Sequence, residues 1–462
     1  MTVGRRAALI CLAIYLLSFG LLYYAHSVRV EKDPGLTGEE LAIAYRDVYL
    51  LPTRSQHNYY ATTFSSAVYY WVGSYLLPIT VNSQRLFKIA GMAFLPLLIV
   101  LLMRTIRPPT SWLAASSAAL LFCAMPPVIW FSIMVQDFPT DCVFSFLALL
   151  LAFRFSWRDQ PLRVAGGLTA IGLLIVWFVH FYGGSFVLAL IIPLLLGWKA
   201  LTGEPADRPR DFFHWSLFAL LTFVLLWWPK LYFGPAVVMF NGGRHLTLSW
   251  PAVAGSFAVI CRDLLVASDS YLLRPWLLYA CLPGLWYQLL FAGLLLAGLR
   301  LLWREKNRYL FWLLALAVGS FLLGGLFGDV PGIRRIFPCL IVCSCWAGYG
   351  VEAVGRLAGG KLWQGILVAL LVGYSLFIFH GTYRFVSLDY RNWLQREFTY
   401  LPGKNYEGTI EGLIAESQKR PVKMSQYPKS PDVICHHHDT YLLLKLFCAR
   451  RGLSDKGLIW VN

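Results

Sequence analysis

Long apolar runs fill most of this chain, and they decide what it can fold into. A helix crossing the hydrocarbon core of a bilayer needs about 20 mostly apolar residues. Segments of that kind lie near residues 7–25, 86–103, 112–131, 142–157, 164–181, 184–198, 212–233, 276–302, 309–328, 336–354 and 362–381. The fourth and sixth are short enough to be tilted or half-inserted. Composition agrees: 58% of residues are hydrophobic and 14% charged, against roughly a quarter charged in ordinary soluble proteins. A disordered chain, a disulfide-rich secreted domain and a typical soluble enzyme are all excluded. The expected fold class is an all-α polytopic membrane protein of about eleven transmembrane helices.

The net charge of +16 would suggest nucleic acid in a soluble protein, but here it reads as topology. Basic connections stay on the cytoplasmic side. With the N-terminus inside, the inner connections hold Arg5, Arg6, Arg104, Arg107, Arg154, Arg158, Arg163, Lys199, Arg208, Arg210, Arg300, Arg304, Lys306, Arg308, Arg356 and Lys361. The acidic residues there are Asp159, Glu204, Asp207, Asp211, Glu305 and Glu352. The short outer connections 132–141 and 182–184 hold no Lys or Arg. Arg5 and Arg6 precede the first span, and no small-residue cleavage site follows at Tyr23–His26, so a retained helix is expected rather than a signal peptide. The C-terminus then falls outside. No nucleic-acid partner is expected; membrane lipids are.

Two domains are expected: a transmembrane domain over 1–383, including a long outer loop at 26–84, and a small extramembrane extension over 384–462. The extension contains a helix-like stretch near 405–418 and is marginal as an independent core. Its cysteines Cys435 and Cys448 are a candidate disulfide in an oxidising compartment. Cys339, Cys343 and Cys345 superficially resemble a metal cluster, but thiols within a span behave as small apolar groups. His436-His437-His438 beside Asp439 is expected to be a surface loop, since adjacent histidines cannot all face one ion.

The first outer loop carries Glu31, Asp33, Glu39, Glu40 and Asp47. Leu41, Ala44, Tyr45 and Val48 fall at helical spacing, as expected of a helix along the membrane surface. Tyr59 to Leu77, rich in Tyr, Trp and small residues, suits the headgroup region. Carboxylates at such a boundary could serve as a general base, although Glu39 and Glu40 would also favour a helix N-terminus for electrostatic reasons alone.

Several short motifs then occur in a suggestive order. Leu36-Thr37-Gly38-Glu39-Glu40 is similar to a Leu-Trp-x-Asp-Glu segment, with Thr37 for the Trp and Glu39 for the Asp. His57-Asn58-Tyr59-Tyr60 resembles His-Pro-Pro-Leu-Tyr-Tyr without its prolines. Ser83-Gln84-Arg85-Leu86 matches an Arg-Leu opening the second span, and Pro126-Pro127 to Asp141 sits where a second outer loop belongs. Val179-His180-Phe181-Tyr182 resembles a Thr-His-Tyr, and Arg334-Arg335-Ile336-Phe337-Pro338 an Arg-Tyr-x-x-Pro. In this order they resemble the GT-C superfamily of polyprenyl-phosphate-sugar-dependent glycosyltransferases, particularly its protein O-mannosyltransferase and aminoarabinose transferase branch.

That resemblance implies an enzyme moving a sugar from a polyprenyl phosphate to a lipid, protein or glycan acceptor at the outer membrane face, with inversion. It puts the catalytic base at Glu39, with Glu40 and Asp33 as competitors. Arg85, Lys88, Arg334 and Arg335, basic residues at outer span ends, become candidates for the donor phosphate, or headgroup anchors. His57, Tyr60, Asp137, His180 and Tyr182 become candidates for substrate contact. No cofactor is implied with certainty; a divalent metal is possible, and its ligands are unknown. A bacterial inner membrane is the expected location. The rival readings are a transporter or flippase of a lipid-linked intermediate, disfavoured by span interiors almost without carboxylates, and a non-catalytic relative.

Overall fold

The computed structural model describes residues 3–32, 81–125, 128, 138–179, 186–233, 254, 274–326, 332–357, 361–388, 406–425, 433–435, 441, 444–445, 448 and 452–461. The protein is a polytopic helical membrane protein. Its helices are α1 (Val3–Lys32), α2 (Val81–Met92), α3 (Phe94–Ile106), α4 (Trp112–Ala124), α5 (Phe138–Arg154), α6 (Pro161–Val179), α7 (Phe186–Leu201), α8 (Arg208–Phe233), α9 (Arg274–Arg304), α10 (Leu310–Leu326), α11 (Gly332–Leu357), α12 (Lys361–Leu388) and α13 (Tyr406–Ser417). Each apolar segment assigned from the sequence overlaps a helix among the described residues. Among the described residues, Ala7–Tyr24, Leu86–Ile106 and Phe337–Leu357 are long and apolar enough to cross a membrane. The interfacial helices expected within 26–84 lie largely outside the described residues.

The chain divides into two compact units. The first comprises Met1–Leu21, Ala90–Trp130 and Phe138–Gly381; the second comprises Leu22–Ile89, Phe131–Asp137 and Thr382–Asn462.

In the first unit α11 is the central post, packed against α3, α4, α5, α9 and α10. Its sequence explains why. Where two helices meet in lipid, small residues let their backbones approach closely. A Cβ on Gly350 would sit 1.9 Å from the Leu294 carbonyl oxygen, and one on Gly298 would sit 1.8 Å from that of Trp346. The two glycines thus let α9 and α11 touch main chain to main chain. Gly348, two residues before Gly350 on α11, opens the approach to α4, where a Cβ would lie 2.6 Å from that of Ala118. Leu121, Leu294, Ala347, Val351 and Leu371 close an apolar cluster around this contact. Tyr349 is wholly buried and its hydroxyl donates to the Met103 carbonyl at 2.8 Å, tying α11 to α3. Outward-facing Leu12, Leu17, Phe213, Leu220, Phe223 and Leu370 are exposed, as expected where lipid is the solvent.

The helix ends are fixed by local chemistry. Ser111 caps α4 by accepting from the Ala114 N–H at 3.1 Å, a contact typically worth about 1 kcal/mol. The Lys199 ammonium donates to the Ala152, Phe153 and Phe155 carbonyls, each at 2.9 Å, satisfying carbonyls that the end of α5 leaves without helical partners.

The second unit, in the C-terminal extension, adds something the sequence reading did not draw: a three-stranded parallel sheet. Its strands are β1 (Val422–Ser425), β2 (Ile434–Cys435) and β3 (Leu458–Trp460), in the order β2-β1-β3. β1 aligns Met424 with both Ile434 and Trp460, and α13 packs on it. Strands of four, two and three residues are too short to show the alternation by which a strand is recognised. Gly457 is required at the entry to β3, because a Cβ there would lie 1.8 Å from the Ser417 carbonyl oxygen. The side chain of Cys435, and with it the candidate disulfide to Cys448, lies outside the described residues.

Candidate functional site

The basic residues expected at a donor phosphate sit on two elements. Arg85 and Lys88 occupy one face of α2, three residues apart. Lys88 is 5% exposed, unusual for a lysine unless it is partnered. Arg334 and Arg335 lie in the first turn of α11. A helix N-terminus presents unpaired N–H groups and the positive end of the macrodipole, so it is suited to an anion. Two arginines placed there oppose the dipole, and an anionic partner would relieve that cost. Pro338 falls within α11 and has no N–H to return to the carbonyl four residues earlier, that of Arg334. The first turn is thereby set apart from the tightly packed remainder of the helix.

The side chains of Arg85, Arg334 and Arg335 lie outside the described residues, as do Asp33, Glu39, Glu40, His57, Tyr60, Asp137, His180 and Tyr182 altogether. Among the described residues no group of three His, Cys, Asp or Glu side chains is placed to hold a metal ion. Cys345 is buried, and the Cys339 and Cys343 sulfurs are 3.8 Å apart, one helical turn from each other on α11.

The opposite end of α11 carries a cluster that sequence reasoning missed. The Arg107 guanidinium, 4% exposed, donates to both Glu305 carboxylate oxygens, at 2.5 and 2.7 Å, and to Glu352 at 2.8 Å. Arg356 adds a bond to Glu352 at 2.8 Å and a longer one to Glu305 at 3.4 Å. The Asn307 amide donates to the Ile106 carbonyl at 3.1 Å. Together these join the ends of α3, α9 and α11. The hydrogen bonds from Arg107 hold the Glu305 carboxyl below the usual range, and those to Glu305 raise the already high basicity of Arg107. Glu305 and Glu352 are acidic residues among the largely basic connections at this end, and that was the available signal. From Arg334 to Glu352 is 18 residues, roughly 27 Å at 1.5 Å per residue. The arginine pair and this four-residue clasp therefore stand about one hydrocarbon thickness apart.

The backbone resembles solved structures. It superimposes on ArnT from Cupriavidus metallidurans in the apo state with a TM-score of 0.55 and 15% identity, covering 98% of this chain and 90% of that one. The same protein bound to undecaprenyl phosphate gives 0.53 and 12% identity, over 99% and 90%. The fold is of the GT-C type. The archaeal oligosaccharyltransferase AglB from Archaeoglobus fulgidus, in complex with an inhibitory peptide and a dolichol-phosphate, gives 0.49 and 13% identity, over 88% and 58%. No protein-family model matches the sequence, and neither does any curated protein. The GT-C resemblance read from short motifs is thus present in the backbone, where sequence identity has fallen too low to show it.

Proposed function

We propose that this GT-C-type chain transfers a sugar from a polyprenyl-phosphate donor to an acceptor at the outer face of the membrane. The observation that carries the reading is the near full-length match to a backbone solved with undecaprenyl phosphate bound. It is supported by Arg334 and Arg335 in the first turn of α11. In this reading Glu39 takes the proton of the acceptor nucleophile. The acceptor atom bonds to the anomeric carbon from the face opposite the leaving group, and the bond from that carbon to the phosphate oxygen breaks. Polyprenyl phosphate departs with its new negative charge facing the arginine pair, with Arg85 and Lys88 as further cations. His57, Tyr60, Asp137, His180 and Tyr182 remain the candidates for sugar and acceptor contact, and a lipid, protein or glycan acceptor must offer such a nucleophile. The distribution of basic connections supports the outer face, with the N-terminus cytoplasmic and the C-terminus on the opposite side, and the proposed location is a bacterial inner membrane.

The test is transfer from a radiolabelled polyprenyl-phosphate sugar by membranes carrying Glu39→Gln. Loss of a general base costs roughly 10²–10⁴ in rate. The expected result is a loss of that size with unchanged expression, and with Glu40→Gln and Asp33→Asn retaining activity. Full activity in Glu39→Gln together with loss in one of the other two moves the base to that residue. Translocation of the donor without any glycosidic product overturns transfer in favour of transport.

A further inference from the structure

Of the six acidic residues in the inner connections, five are held in ion pairs. Glu305 and Glu352 belong to the clasp, Glu204 pairs with Arg158 at 2.8 Å, and Asp207 and Asp211 pair with Arg210 at 3.4 and 3.0 Å. Asp159 is the exception: no ion pair engages it among the described residues, and it stands at the mouth of a cavity of about 650 Å³ between α6 and α8. The walls are Val164, Leu168, Leu221 and Leu225, and Gly172 opens the depth, since a Cβ there would lie 3.2 Å from the Phe218 ring. The polar end of the lining holds Arg158, Arg210, Asp159, Asp207 and the buried Asp211. The helix faces beside it are apolar and exposed, as at Leu173, Leu220 and Phe223, so the groove opens toward lipid.

We infer that this groove binds a phospholipid whose headgroup carries a primary amine. The volume falls within the range of small-ligand sites, about 300–1,000 Å³, enough for a headgroup and the upper part of its acyl chains. The polar end has three carboxylates against two guanidinium groups, both already paired, so an anionic headgroup meets net negative charge. A headgroup with an ammonium beside its phosphate matches both signs. A primary ammonium has three N–H donors for Asp159 and Asp207, whereas a quaternary one has none. The apolar walls take the chains. This inference stands apart from the glycosyl-transfer reading and uses none of its residues.

The experiment is native mass spectrometry of the delipidated full-length protein in detergent. It is titrated with phosphatidylethanolamine, phosphatidylcholine and phosphatidylglycerol of the same acyl chains. An ion pair at this exposed carboxylate predicts retention of phosphatidylethanolamine roughly two- to fivefold over the other two. Asp159→Asn, at an exposed position, is expected to bring it down to the phosphatidylcholine level. Thr169→Trp, also exposed and lining the groove, is expected to reduce retention of all three. Equal retention of the three lipids, preference for phosphatidylglycerol, or undiminished phosphatidylethanolamine retention in Thr169→Trp with an unchanged melting temperature would each overturn the site.

Discussion

Arg107 shows how much one residue can carry when it is itself cut off from water. Its guanidinium is almost wholly buried and divides its donors between Glu305 and Glu352. Removing one member of a buried ion pair leaves a charge without compensation, at a cost of about 3–5 kcal/mol. Arg107→Met should therefore lower the melting temperature of the detergent-solubilised protein markedly. Arg158→Met, which breaks an exposed pair with Glu204, should cost less than about 1 kcal/mol. The clasp also has a defined pH signature. Because Arg107 holds the Glu305 carboxyl below its ordinary value, the stability it contributes is fully present above about pH 4, the unfolded carboxylate value. It is lost as the pH falls through the depressed native value. Melting temperature measured from pH 6 downward should drop in that acid range, and Glu305→Gln should flatten the drop. Arg107 was legible in the sequence only as a topology signal. Which carboxylates it meets is set by a turn 198 residues away and a helix 245 residues away, and no local pattern encodes that.

At the scale of elements, the contrast among glycines is a direct test of the α9–α11 contact. Gly350→Leu must push apart two backbones that now meet without a side chain between them, so it should abolish folded protein, as read by the monodisperse fraction after solubilisation. Gly293→Ala, also on α9 but with open space around it, should be tolerated and gain up to about 1 kcal/mol from helix propensity. Helix existence was readable because apolar length is a strong signal and each assigned segment needed only to be long. Packing partners were not: a glycine at a helix crossing and one facing lipid look the same in sequence. The strands around Met424 escaped for a different reason, since pairing between segments far apart in the chain supplies what their few residues lack.

At the scale of the molecule, the candidate site was legible as residue types in order rather than as geometry. Arg334-Arg335 before Pro338 could be recognised because the motif is local and lies at the start of a long helix. Glu39, by contrast, departs from the family's Asp, and its place relative to any cation depends on how the first outer loop folds. The alternation of basic connections predicts a definite sidedness. A periplasm-dependent reporter fused after Asn462 should be active and one fused within 199–210 should be silent; the reverse result would invert the whole assignment. In the same frame, the apolar exposure of α8 and α12 marks faces that must be met by lipid or detergent.

The reciprocal glycines have one more consequence, a mechanical one. Along α9 and α11 the contact is keyed: sliding α11 by a single residue, or turning it by the same step, would bring Tyr349 or Val351 to where only a hydrogen atom fits. Small shifts between packed helices are the usual currency of conformational change, and this pair cannot spend it. Any working motion of the first unit has to pivot around α9 and α11 as around an axle, carried by helices whose seams have side chains free to rearrange.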